Sequence, residues 1–174
     1  MLLILVVETN IEQGSDRLYI EDYIKHFFDI SGVKLKFIPM SGKGNYKTTK
    51  VINKINQKIK EYTKTNPNNP KFKVIYFIDW DNPRFNNSQF NLNNQIVEYI
   101  NKMNYELVYF NKNIENVFLQ KDVESNKKLK EATRFVSKKL ISEFDNSKCK
   151  IAQVVILNSS NIDLILSKYL EKYN

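Results

Sequence analysis

Val74-Ile-Tyr-Phe-Ile-Asp-Trp-Asp81 is the stretch that decides the fold, because an unbroken apolar run ends here in two acids one residue apart. A short apolar run without polar alternation is typical of a strand covered on both faces of a sheet. The N-terminal run Leu2–Val7 has the same character and ends at Glu8. Two such runs with a helical pattern between them predict a parallel sheet with helices on both faces.

Helical and strand patterns alternate along the rest of the chain. Further strands are predicted at 33–38 and 105–110, and a fifth at 151–157, although that last segment is also compatible with a helix. Apolar residues at helical spacing predict the intervening helices, and Ser160 is the predicted cap of the final one. The predicted fold is therefore α/β: one domain, residues 1–174, with a doubly wound, mainly parallel four- to five-stranded sheet flanked by helices.

The composition restricts the partners and the compartment. Lys and Arg number 27 against 19 Asp and Glu, giving a net charge of +8, which favours nucleic acid as a partner. A general bias toward Lys, Asn and Ile would produce the same charge without binding. No apolar run approaches the roughly 20 residues that span a bilayer, so no membrane partner is expected. The single cysteine, Cys149, can form no internal disulfide, so we expect a cytoplasmic protein.

Acidic residues follow both buried strands. In open parallel sheets, ligands bind outside the carboxyl ends of the strands, which is where Glu8, Asp79 and Asp81 fall. Residues two apart in a strand share a face, so Asp79 and Asp81 are expected to point at one spot. Carboxylates gathered in this way repel unless a cation lies among them, and hard oxygen ligands favour Mg²⁺ or Mn²⁺. The alternative is a plain turn, since Asn82 and Pro83 follow.

These residues together resemble the toprim domain, which occurs in topoisomerases, bacterial primases, OLD-type nucleases and RloB-like phage-defence proteins. The resemblance covers about residues 2–111 and leaves about 112–174 as a C-terminal helical extension. It implies that Glu8 is the core acid and that Asp79 and Asp81 bind the metal. Asp16, in Gly14-Ser15-Asp16, would be the supporting acid of the Glu-Gly-x-x-Asp signature.

Two departures from the toprim pattern are visible. Thr9 stands where the family has glycine, and the segment before Gly14 is longer, so Glu12 competes with Glu8 for the role of core acid. Beyond the fourth strand, Asn113-Ile-Glu115-Asn-Val-Phe-Leu119 is similar to an acidic segment of RloB-like and other small toprim proteins. That similarity implies Glu115 as a fourth metal ligand, and an ordinary exposed helix residue is the alternative.

The function implied is a Mg²⁺-dependent nuclease, in phage defence, with a partner ATPase in some systems of this kind. The main alternative is a catalytically inactive toprim-like module that binds nucleic acid or regulates a partner. A third possibility is a Rossmann-like transferase, because Asp-x-Asp also binds metal–nucleotide complexes. A basic loop, Gly42-Lys-Gly-Asn-Tyr-Lys47, follows the second strand. A Walker A motif has glycine before its lysine, and Tyr46 stands there before Lys47, so the sequence disfavours an ATPase. Lys43 and Lys47 could still contact phosphate at a helix N-terminus, or the segment is an ordinary turn.

Overall fold

A computed structural model describes residues 1–11, 14–68, 70–81, 87–154 and 156–173; Glu12, Asn82 and Pro83, which entered the sequence predictions, lie outside it. The strands are β1 Leu2–Val7, β2 Phe28–Asp29, β3 Lys34–Pro39, β4 Phe72–Asp81, β5 Glu106–Asn111 and β6 Glu171–Lys172. The helices are α1 Ser15–Phe27, α2 Thr49–Thr65, α3 Asn87–Lys102, α4 Ile114–Leu119, α5 Lys128–Ser137 and α6 Ile162–Leu166. Within these ranges no helix combines the length and apolar character needed to cross a bilayer.

Four strands form one parallel sheet in the order β3-β1-β4-β5. The two continuous apolar runs of the sequence are thus neighbours at the centre, with Val6 of β1 in register with Tyr76 of β4. Because all four strands run the same way, their carboxyl ends lie along one edge of the sheet. A second, two-stranded antiparallel sheet pairs β2 with β6.

Both faces of the main sheet are covered by helices. Alternate residues of β1 point to opposite faces, as the pleat requires. Leu5 belongs to the core that includes Tyr19 and Tyr23 of α1 and residues of α4, α5 and α6. Val6 belongs to a second core with Ile55 of α2 and residues of α3. The doubly wound α/β fold predicted from the sequence is confirmed.

The predicted fifth strand is wrong, because the described residues at 151–154 and 156–157 form bends and turns. The edge of β5 is instead covered by the next segment: the Ser159 carbonyl accepts a hydrogen bond from Asn111 N at 2.8 Å. The side chain of Asn161 substitutes for a backbone neighbour, accepting from Tyr109 N at 3.0 Å and donating to the Leu107 carbonyl at 2.9 Å. The predicted cap of the final helix is one residue off, because Asn161 is the N-cap of α6, while Ser160 Oγ accepts a hydrogen bond from Ile162 N at 3.1 Å.

Candidate metal centre

Glu8 and Asp79 meet at the carboxyl edge of the sheet. Glu8 directly follows β1, and Asp79 lies near the end of the adjacent strand β4. Asp79 N donates a hydrogen bond to Glu8 Oε1 at 2.8 Å. This contact follows from the parallel pairing of two strands that both end in acids, so the predicted juxtaposition of these two residues is present.

Asp81 is separated from Asp79 by an irregularity in β4. The register with β5 shifts between the two residues, and Asp81 has a φ of 54°, in the left-handed region that Asp tolerates better than most residues. A bulge of this kind interrupts the two-residue alternation on which the sequence prediction relied. The two carboxylates consequently engage different partners: Asp79 Oδ1 accepts from Ile114 N at 3.0 Å, whereas Asp81 Oδ2 pairs with Lys43.

Asp16 reaches the same edge from the first turn of α1. Its Oδ1 accepts a hydrogen bond from Ser15 Oγ at 3.2 Å. The helix begins very close to the end of β1, because a Cβ built on Gly14 would lie 2.6 Å from Cβ and Cγ2 of Thr9. No side chain fits between Thr9 and residue 14, so glycine is required for this approach. Thr9, which departs from the toprim pattern, is thus accommodated by the glycine that follows it.

Glu115 is the most deeply buried acid of this group. It lies in α4 with 0% of its surface exposed, so the alternative of an exposed helix residue is excluded. Among the described residues its Oε1 accepts no hydrogen bond, and the contact of Oε2 is an ion pair with Lys128 Nζ at 3.0 Å. A buried carboxylate oxygen without a partner is unfavourable. Glu115 is therefore short of positive charge or donors.

The pKa values of the acids reflect this crowding. Burial raises the pKa of Glu8 to about 7, with smaller raising effects from Asp16 and Asp81, although the Asp79 amide and Lys43 act in the opposite direction. Burial also raises the pKa of Asp16 to about 6, reinforced by Glu115 and opposed by Lys128.

The strongest effect falls on Asp79. Its pKa is raised well above the ordinary value, first by burial and then by the charges of Glu8, Asp16 and Glu115. Burial alone would lower the pKa of Lys128, but the Glu115 carboxylate raises it overall. Four acids and one lysine therefore form a single electrostatic unit, which we call the acid cluster: Glu8, Asp16, Asp79, Glu115 and Lys128.

The two lysines of the predicted phosphate loop differ in position. Lys43 is buried, and its Nζ donates to the Asp79 carbonyl at 2.9 Å and to Asp81 Oδ2 at 2.5 Å. Lys47 is exposed, with its Nζ 5.3 Å from the centre of the Tyr46 ring. The structure thus brings Lys43, together with Asp81, to the border of the acid cluster and leaves Lys47 on the surface.

An open pocket of about 450 Å³ lies over the cluster. It is lined by both cluster and neighbouring residues, among them Glu8, Asp16, Asp79, Ser125 and Lys128. Lys128 was not singled out from the sequence. It is one of 27 basic residues and belongs to no motif, so only its packing against Glu115 distinguishes it.

The chemistry of the cluster suits a hard divalent cation. Four carboxylates interact electrostatically, and Glu115 has an oxygen without a hydrogen bond. Carboxylate oxygens are the ligands that Mg²⁺ and Mn²⁺ prefer. In the described ranges, however, no group of three or more His, Cys, Asp or Glu side chains is arranged so that it could hold a metal ion. The carboxylate oxygens are therefore the right type of ligand for a divalent cation. In this structure they are not arranged around an ion site, and Glu115 contacts Lys128 instead.

The comparisons with known proteins identify no relative. No protein-family model matches the chain, and neither a curated protein nor a solved structure is significantly similar to it. The class defined by fold and site is that of doubly wound α/β proteins with an acid cluster at the carboxyl edge of a parallel sheet. The toprim resemblance therefore remains a prediction from the residues quoted above.

Proposed function

We propose that the protein is a toprim-like nuclease that hydrolyses phosphodiester bonds in nucleic acid with the help of Mg²⁺ or Mn²⁺. The observation that carries the proposal is Glu115: a fully buried carboxylate with an oxygen that accepts no hydrogen bond, held next to Asp16 and Asp79. A divalent cation would supply the missing positive charge. The position at the carboxyl edge of a parallel sheet is where ligands of such folds bind.

Each residue has a role in this proposal. Glu8, Asp79 and Glu115 would hold the ion, with Asp16 as the supporting acid and Asp81 positioned through Lys43. When bound, the ion would neutralise phosphate charge and promote ionisation of a water. Glu8, whose pKa is raised to about 7, suits proton transfer near neutral pH. Lys43 and Lys128 offer positive charge to the phosphate.

The wider setting follows from the resemblance and the charge. The net charge of +8 favours a polyanionic substrate, DNA or RNA. Phage defence and a partner ATPase belong to the same proposal, because the toprim resemblance implies them. A cytoplasmic location belongs to it because the single cysteine, Cys149, can form no internal disulfide.

The test is cleavage of labelled DNA and RNA with Mn²⁺ or Mg²⁺ by the wild type and by Asp79→Asn. We expect the variant to lose about 100-fold or more in rate, the scale of removing one stabilising group from an active site. Asp145→Asn is the matched control, because Asp145 is exposed and only bonds locally to Ser147. Equal cleavage by the wild type and Asp79→Asn would refute the proposal.

A catalytically inactive module that binds nucleic acid or regulates a partner is the second candidate. It is favoured by Lys128, whose ammonium group already contacts Glu115, and by the lack of an arranged metal-binding group in the described ranges. Such a module would retain its affinity for nucleic acid in EDTA and lose it steeply with added salt. Metal-dependent cleavage lost in Asp79→Asn would exclude it.

A further inference from the structure

Two exposed apolar side chains flank the acidic pocket. Ile11, in the loop after β1, is 57% exposed, and Leu129, in the first turn of α5, is 48% exposed. Both line the pocket that also contains Glu8, Asp79 and Lys128. Single exposed apolar residues are ordinary on a protein surface. Two at one pocket, whose lining residue Lys128 also pairs with the buried Glu115, point to a ligand with an apolar part.

The local structure holds each of them in place. The Ile11 carbonyl accepts hydrogen bonds from Gly14 N and from Thr9 Oγ1, both at 3.2 Å, and these contacts anchor the backbone at Ile11. Leu129 lies within α5, where its carbonyl accepts from Thr133 Oγ1 at 2.8 Å. Both exposed side chains are therefore carried by backbone that is held by hydrogen bonds.

We infer that this pocket holds one unpaired nucleotide, with its base against Ile11 and Leu129 and its phosphate toward Lys128 and the acids. The inference rests on the proposed function and assigns its substrate class as single-stranded nucleic acid. The pocket volume of about 450 Å³ lies within the range of small-molecule sites, about 300–1,000 Å³. The pocket has an apolar rim, formed by Ile11 and Leu129, next to charged residues such as Asp79 and Lys128. A nucleotide likewise combines a base with apolar faces and a charged phosphate.

The requirement for an unpaired base follows from what apolar side chains can contact. In a duplex the faces of the bases are stacked on one another, and the grooves offer only their edges. Apolar and aromatic side chains bind the faces of bases that are flipped out or single-stranded. A duplex would thus bring phosphates to the site but leave the apolar rim without a partner.

The test combines a protein change with a substrate change. Cleavage and binding are measured for a single-stranded oligonucleotide, for the same oligonucleotide with one abasic residue at each position in turn, and for the duplex. The proteins are the wild type, Ile11→Ser/Leu129→Ser, and the control Leu164→Ser, in which an exposed leucine away from the pocket is changed. Binding is followed by fluorescence anisotropy with Ca²⁺ in place of Mg²⁺ and, separately, in EDTA, so that it is read apart from cleavage both with and without a divalent cation at the acid cluster.

We expect the rim variant, Ile11→Ser/Leu129→Ser, to bind and cleave the intact single strand about tenfold less well, which corresponds to about 1.4 kcal/mol. One abasic position should produce the same loss in the wild type and in Leu164→Ser, but little further loss in the rim variant. Equal binding of intact and abasic strands by the wild type, or a preference for the duplex, would overturn the inference. Metal-dependent cleavage that Asp79→Asn abolishes would still support the proposed function in that case. Absence of cleavage with base-dependent binding would refute only the nuclease.

Discussion

Asp163 and Glu115 are both buried carboxylates, at 1% and 0% exposure, and they differ in how their charge is satisfied. Asp163 accepts a hydrogen bond from Tyr23 OH at 3.1 Å, and its other oxygen is paired with Lys172 Nζ at 2.5 Å. Glu115 has one ion pair, with Lys128, and an oxygen that accepts no hydrogen bond within the described residues.

We interpret the difference as that between a structural acid, Asp163, and the metal ligand proposed above, Glu115. Each oxygen of Asp163 has a donor, and this residue joins α1, α6 and β6, so its charge is part of the fold. Glu115 lies among three further acids whose charges raise one another's pKa values. A buried group whose hydrogen bonding is incomplete is unfavourable for folding alone and is expected where a ligand completes it.

The largest expected effect on stability is at Asp163. Asp163→Ala leaves the buried Tyr23 hydroxyl without this acceptor and removes the ion pair with the half-exposed Lys172, so it is expected to lower the free energy of unfolding by about 2–4 kcal/mol. Glu115→Gln keeps the volume and removes a charge from the acid cluster, so it is expected not to lower stability in EDTA. Chemical denaturation of both variants measures the contrast. Similar losses in the two would abolish the distinction drawn between these acids.

The second effect is stabilisation by a divalent cation. Mn²⁺ or Mg²⁺ at a hundred times its dissociation constant is expected to stabilise the wild type by about 2.7 kcal/mol, seen as a rise in Tm. Glu115→Gln should lose most of this rise, while Asp163→Asn should keep it even if its starting Tm is lower. A rise of the same size in Glu115→Gln would remove Glu115 from the metal centre.

The smallest effect is the dependence of stability on pH without metal. The pKa of Glu8 is raised from 4.5 to about 7 and that of Asp16 from 3.8 to about 6. Between these values the folded protein keeps protons that the unfolded chain has released, so stability falls as pH rises. We expect the Tm in EDTA to decrease from pH 5 to about pH 8, and Glu8→Gln to flatten the decrease. A Tm that rises over this interval would show that the acids are not crowded.

The fold was predictable where the signal was continuous burial. Leu2–Val7 is the observed β1, because a run of six apolar residues has few alternatives beside a central parallel strand. The segment at 151–157 is also mainly apolar, but the edge of β5 is already covered by Ser159 and the side chain of Asn161. Two segments, 151–157 and the one that contains Ser159 and Asn161, could pair with the same edge of β5. Tertiary packing decides which of them does, so no local sequence pattern indicates the outcome.

The candidate site was predictable in part for similar reasons. The contact of Glu8 with Asp79 follows from strand order, since adjacent parallel strands end at the same edge. The different environment of Asp81 depends on a bulge, which no residue in the stretch signals unambiguously. Lys128 begins the next α-helix after the one that carries Glu115 but belongs to no motif, so its place beside Glu115 could be learned only from the assembled structure.

The order of synthesis gives the ion pair of Glu115 with Lys128 a further meaning. Glu8, Asp16 and Asp79 leave the ribosome early, whereas Glu115 and Lys128 follow only after the four strands of the main sheet have been made. A nascent chain that has formed this sheet therefore still lacks the buried acid and the lysine beside it. Under the proposed function, the acid cluster is therefore incomplete in a nascent chain until α4 and α5 have packed.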